Sequence, residues 1–282
     1  MSKIDQFESL FRAAVQPRYQ PNSYALRELL VLTDLPTEQD TAFLAQLEPF
    51  FAGLSQAPKL TLIPREQSQD LGALLTLIEG HGADLICTYR NLHSAHGDSP
   101  YTLGGHVEVL TQACSTPILL MPRPEQMGGS PFSAPSRVMA LTDHFDDHPQ
   151  LIDAAVAMLK APGTLVLSHV EDEATFERYM SVIAKIPSID TDEARALIKA
   201  QLLRDAEGYL ARSKEALLSA HQHLEVITEV SVGHHLKAHT ALVEARAVEL
   251  LVINTKDEDQ LAMHGLSHPI AIELRDLPLL ML

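Results

Sequence analysis

The chain says nearly the same thing twice, and that repetition restricts its fold more than any other feature. An apolar run, Asp84-Leu-Ile-Cys-Thr-Tyr89, is followed by a loop, then by Gly104 through Pro117 and by Ile118-Leu-Leu-Met121. The order recurs near the C-terminus as Glu249-Leu-Leu-Val-Ile-Asn254, a loop, Gly265 through Pro278 and Leu279-Leu-Met-Leu282, with Gly and Pro thirteen positions apart in both copies. Each copy reads as strand, loop, helix, strand, so the spacing implies a tandem of two related domains.

A length of 282 residues suits two domains of ordinary size. The formal charge is -16, divided as -6 over residues 1–130 and -10 over the remainder. With no basic patch to neutralise phosphates, nucleic acid is not an expected partner. Cys87 in an apolar run and Cys114 on a helical segment offer neither a disulfide framework nor metal spacing, and read as buried thiols. The N-terminus lacks a signal-peptide pattern, and no apolar run reaches the ~20 residues that span a bilayer. A cytoplasmic protein without membrane contact is the expectation.

Along the chain, Ile4, Phe7, Leu10, Phe11 and Ala14 predict an amphipathic helix over 3–15 that packs on the first domain. Leu29–Leu32 reads as a strand ending in Thr33-Asp34, and Thr37 as the N-cap of a helix reaching about Phe51. Strands over 60–63 and 85–88 flank a helix over 71–78. The proline-rich stretch 123–136 marks a linker. The second part opens with Arg137–Leu141 and Thr142-Asp143, again strand then Thr-Asp. Helices over 153–160, 192–220, 235–247 and 261–274 then alternate with strands over 164–168, 223–232, 249–253 and 279–282. Strands that are continuously apolar and alternate with helices predict an α/β protein with parallel sheets covered on both faces. The first copy has about four strands against five, because the residues between Ile63 and Leu71 cannot hold another strand and helix. The domains are therefore expected at 1–122 and 137–282.

This arrangement resembles the tandem universal stress proteins over 27–122 and 137–282. The residues that carry the resemblance are Leu103-Gly104-Gly105 through Pro117-Ile-Leu-Leu, Gly265-x-Ser267 through Pro278-Leu-Leu, and Val230-Ser-Val232-Gly233 before a helix. The resemblance implies two Rossmann-like domains with open parallel five-stranded sheets, the first shortened. It also implies that a ligand would meet Asp34 and Asp143 at the ends of the first strands, and Val232 and Gly233 at the end of a third. Family members that bind ATP carry Gly-x2-Gly-x9-Gly-(Ser/Thr), whose small residues admit phosphates to backbone amides. Counted back from Gly104-Gly105, the two earlier glycines fall on Asn91 and Ser94, so the motif is broken. The second copy's loop is too short for it and carries Asp257, Glu258 and Asp259, which repel phosphate.

Arg90 is the cation best placed in the first loop to meet an anion, with pairing to a nearby carboxylate as the plainer reading. Asp34 and Asp143 have capping the next helix as theirs. His235 and His239 stand one helical turn apart, with His234 beside them and His169 ending a neighbouring strand; metal ligation and a solvated helix start are the alternatives. His144, Asp146, Asp147 and His148 form a similar cluster, with acidic residues suited to a first helical turn. No nucleophile elbow, Walker loop or His-Glu-x-x-His occurs.

The reading that follows is a stress-response or regulatory protein that binds a small ligand or a protein partner, without holding ATP in the familiar way. Its two domains join as an internal pseudo-dimer through their last strands, which are too apolar to remain exposed edges; a further homodimer stays open. The alternative is an ATP- or AMP-binding switch or weak ATPase that uses Asp34, Arg90, Asn91, Gly104 and Gly105. Gly265 and Ser267 hold the matching place in the second copy.

Overall fold

A computed structural model describes residues 19–94, 101–124, 131–142, 149–255 and 267–282. Nine strands form one sheet in the order β2-β1-β3-β4-β9-β8-β5-β6-β7. They are β1 (Glu28–Leu32), β2 (Lys59–Ile63), β3 (Leu85–Tyr89), β4 (Ile118–Met121), β5 (Arg137–Leu141), β6 (Gly163–Asp172), β7 (Leu224–Gly233), β8 (Leu250–Ile253) and β9 (Leu279–Met281). The helices are α1 (Thr37–Leu47), the short α2 (Arg65–Ser68), α3 (Leu71–His81), α4 (Gly105–Ala113), α5 (Pro149–Met158), α6 (Glu173–Ile183), α7 (Thr191–Ala220), α8 (His235–Ala245) and α9 (Ser267–Glu273).

All neighbours pair in parallel except β4 and β9, which run antiparallel with Leu119 opposite Leu280. The sheet thus divides at that joint into β2-β1-β3-β4 and β9-β8-β5-β6-β7, two open parallel sheets of which the first lacks the outermost strand. Both strands at the joint are buried throughout, which removes the two most apolar edges from solvent. Central strands such as β3 and β8 are buried at every position, as a sheet covered on both faces requires. Cys87 and Cys114 are buried, and burial pushes the Cys87 thiol up to about 12.

Several elements differ from expectation for local reasons. Pro36, with no side-chain cap, precedes α1, so Thr37 is the first helical residue and not the cap. The α-helix stops at Leu47, and Glu48–Gly53 tightens into a 3-10 turn with Pro49 in its first turn. β6 runs for ten residues where five were expected, pairing along the whole of β7, and Asp172 caps α6, a helix with no counterpart in the sequence reading. The predicted helix over 3–15 lies outside the described residues, as does the first part of the one over 261–274.

Beyond the sheet joint, the halves are locked by polar groups. The Tyr19 hydroxyl donates to Asp153 Oδ1 on α5 at 2.6 Å, and the Asn22 amide to the same oxygen at 3.0 Å. Phe132 packs edge-on against Phe50, its amide donating to the Gln46 carbonyl. Among the described residues no helix is long and apolar enough to cross a membrane.

Candidate functional site

The strand order reverses direction beside the first strand of each half, β1 and β5, and in open parallel sheets ligands enter the crevice above the carboxyl ends of the strands at that place. In the first half this is where β1 and β3 end, and a polar network occupies it. The Tyr89 hydroxyl, at the end of β3, donates to Asp34 Oδ1 at 2.6 Å and accepts from the Asp34 amide at 2.9 Å. The Thr33 hydroxyl lies 3.1 Å from the same oxygen of Tyr89. Asp34 Oδ2 accepts the His93 amide at 2.8 Å, and the Arg123 guanidinium stands 3.4 Å from both carboxylate oxygens. Burial alone would raise the Asp34 carboxyl. The Tyr89 hydroxyl, Arg123 and the His93 amide outweigh it and hold the group below the usual carboxylate range.

Arg123 closes the arrangement. It lies over the Tyr89 ring at 4.9 Å, and its Nη1 donates to the carbonyls of Arg90 and Asn91. This draws the loop after β3 down over the crevice. Asn91 and His93 take left-handed backbone angles to make the turn, and His93 Nε2 meets the Ser68 hydroxyl at 2.7 Å. Burial, with His106 close by, lowers the proton affinity of His93. Gly104 has φ +89°, and a Cβ there would fall 2.7 Å from Asn91 Cα. Its glycine is needed for the loop to close. Gly105 begins α4 with open space around it.

Arg90 is buried and faces the other half of the molecule. Its Nη1 donates to the Ala271 carbonyl and its Nη2 to that of Leu274 at 2.8 Å, at the C-terminal end of α9. Burial pushes its guanidinium down to about 10, and its Nε has no partner among the described residues. Neither reading made from sequence anticipated this: the fork spans the two halves, cancelling orphan carbonyls at a helix end. The structure therefore brings together Asp34, Asn91 and Gly104 but sends Arg90 elsewhere. His93, expected with Arg90 and Asn91 in the loop over this sheet edge, does reach Asp34, whereas Tyr89, Ser68 and Arg123 were missed. Arg123 stood in the presumed linker, yet it follows β4 by two residues, which places it at the same carboxyl edge as Asp34.

In the second half, Asp143 and Gly265 lie outside the described residues, as do His144–His148 and the acidic loop. Ser267 is buried, its hydroxyl donating to the Asn254 carbonyl at 2.6 Å. Val232 and Gly233 end β7 opposite Glu171 and Asp172. The crevice there is lined with imidazoles. His169 Nδ1 meets the Thr142 carbonyl at 2.6 Å and its Nε2 meets Glu171 Oε1 at 2.9 Å. Both partners are acceptors, so the ring serves both only with a proton on each nitrogen. The bond to His169 is the main reason Glu171 titrates low.

His239 is fully buried rather than solvated, which corrects the simpler expectation for the start of α8. Leu236 and Val243 flank it at helical spacing, a stripe already legible in the sequence. Its Nδ1 is 3.5 Å from the Ser168 hydroxyl, and burial, with His235 and His169 nearby, pushes it down to about 3. The Nε2 atoms of His239 and His235 are both buried without a hydrogen-bond partner among the described residues, their rings 6.0 Å apart. Among those residues no three His, Cys, Asp or Glu converge as metal ligands.

No protein-family model matches the chain, and no curated protein matches it in sequence. Solved structures do match in shape. A protein of unknown function from Pseudomonas aeruginosa PAO1 superposes at TM-score 0.50 with 12% identity, over 92% of each chain. A protein described as a universal stress protein from Pseudomonas aeruginosa UCBPP-PA14 gives 0.51 and 12%, over 92% of this chain and 93% of the other. A universal stress protein from Archaeoglobus fulgidus gives 0.50 and 12%, over 90% and 95%. The paired open sheets, their reversed joint and the coverage of both halves lead to one conclusion: this chain has the fold of the universal stress proteins over nearly its whole length.

Proposed function

We propose that the protein is a universal-stress-type binding and regulatory protein, acting in a stress response through a small ligand or a protein partner and without ATP held in the familiar way. One observation carries this reading. The carboxylate that would face an adenine or ribose in the first half, Asp34, is already bonded by Tyr89, His93 and Arg123 of the same chain. A nucleotide there must break buried, charge-assisted bonds before it makes any of its own.

The second crevice supports a small-ligand role better. Two buried imidazole nitrogens without partners among the described residues leave a polar demand that a ligand's hydrogen-bonding groups would meet. Native mass spectrometry of the purified protein, followed by calorimetric titration with ATP and AMP, tests the reading. The expected result is the bare chain mass and no heat of binding at millimolar nucleotide. Co-purified adenine nucleotide, or tight titration abolished by Asp34→Ala, would establish the nucleotide switch instead.

A further inference from the structure

The two edges of the nine-stranded sheet are unequal. β2, at one end, has five residues, opens with Lys59 and is followed by Pro64. Short length, a lysine and a proline are the ordinary means by which an edge is kept from pairing. β7, at the other end, runs for ten residues, Leu-Glu-Val-Ile-Thr-Glu-Val-Ser-Val-Gly, with no lysine or proline. Among the described residues no strand pairs with its outer side. A parallel edge strand of this length offers a row of outward amides and carbonyls ready to accept another strand.

A second observation falls at the same end of the molecule. Of the seven large hydrophobic residues that the described chain leaves exposed, six (Tyr179, Val182, Ile186, Ile189, Leu197 and Leu218) belong to the crossover that leads from β6 to β7. Within it, α7 packs along β7 and α6 touches that strand. Scattered apolar residues need no explanation, but concentration beside an unblunted edge does.

Charge selects among occupants. The only charged residues on β7 are Glu225, which accepts the Thr164 hydroxyl, and Glu229, which pairs with Arg246, and residues 171–233 carry twelve acidic against seven basic side chains. A second copy, itself at -16, would bring an acidic strand against an acidic strand. We infer that β7 is a docking edge for a protein partner, which adds an extended segment of alternating apolar and basic residues as a tenth strand. Ladder bonds supply affinity and the alternating side chains supply selectivity. The apolar side chains extend over the α6–α7 surface, and the basic ones meet Glu225 and Glu229, where they compete with the Thr164 hydroxyl and the Arg246 guanidinium. This surface is separate from both crevices, so its test is independent of the reading above.

The probe is a fluorescent octapeptide alternating valine and arginine, followed by anisotropy at low and moderate salt. Binding by the full chain is expected, weakening as salt rises. An otherwise identical peptide with alternate amides methylated is expected to bind at least about tenfold more weakly, since it cannot complete the ladder. Glu225→Lys/Glu229→Lys is expected to reverse the preference toward a valine–glutamate peptide, and amides of 224–233 are expected to exchange more slowly in the complex. Absence of binding, indifference to amide methylation, or a concentration-dependent dimer that protects 224–233 would each overturn the proposal; the last would make a second copy the occupant.

Discussion

At the scale of single residues, the informative groups are those buried with too many or too few partners. Asp34 has too many for a ligand carboxylate. Removing it takes from the buried Arg123 guanidinium its carboxylate counter-charge and from the Tyr89 hydroxyl its acceptor, so Asp34→Ala is expected to cost about 3 kcal/mol by urea denaturation. Asp34→Asn is expected to cost less, because an amide oxygen still accepts. His239 has too few partners. Its folded-state proton affinity lies far below that of a free imidazole, so the unfolded chain takes up a proton first as pH falls. The stability this neutral group contributes is fully present above pH ~6.5 and is lost progressively as pH falls toward 3. Between pH 7 and 5 the native chain is expected to lose about 2 kcal/mol that His239→Leu does not lose, measured by denaturant titration at each pH. Equal losses would place the pH sensitivity elsewhere. The position of Asp34 was legible because an acidic residue directly after an apolar strand lands at a carboxyl edge. Its partners were not, since Tyr89, His93 and Arg123 come from segments 55, 59 and 89 positions away and meet only through the folded sheet.

Among the elements, the loop between β3 and α4 decides whether the first crevice is open. Its closure depends on Gly104, where a side chain would meet both a positive φ and the Asn91 backbone. Gly104→Val is expected to destabilise the protein by about 2–3 kcal/mol, whereas Gly105→Ala, in open space at a helix start, is expected to be near neutral. Thermal melts of the two variants read this difference directly, and similar effects would show that the loop is not held by this contact. The glycines themselves were visible in the sequence, but as remnants of a phosphate loop. The structure gives Gly104 a different physical reason, close backbone approach without a phosphate. Strand boundaries followed the apolar runs well for β1, β3, β4 and β8. They held to within one residue for β7 but failed for β6, whose outer half carries His169, Glu171 and Asp172 and is extended by pairing with β7 that local composition cannot express. α6 was missed for the same reason: its cap, Asp172, sits at the end of a strand that seemed to stop earlier.

For the whole molecule, the internal repeat foretold the architecture because two copies that each end in an apolar strand must hide those strands. Antiparallel pairing of β4 with β9 does this while keeping every other neighbour parallel. The shortened first half was also legible, since seven residues between Ile63 and Leu71 leave no room for a strand and a crossover. What the repeat could not foretell is that the two equivalent crevices are built differently. One is closed by its own arginine and tyrosine around Asp34, and in the other the Nε2 atoms of His235 and His239 have no partner among the described residues. Arg90 adds to the asymmetry, because a residue poised over one crevice by sequence serves as a tie to the opposite half. The most direct measurement of this division is a crystal structure grown with saturating ATP. The account predicts Asp34 still bonded to Tyr89, His93 and Arg123, with no adenine at the end of β1. Adenine bound to Asp34 with Arg123 swung away would contradict it.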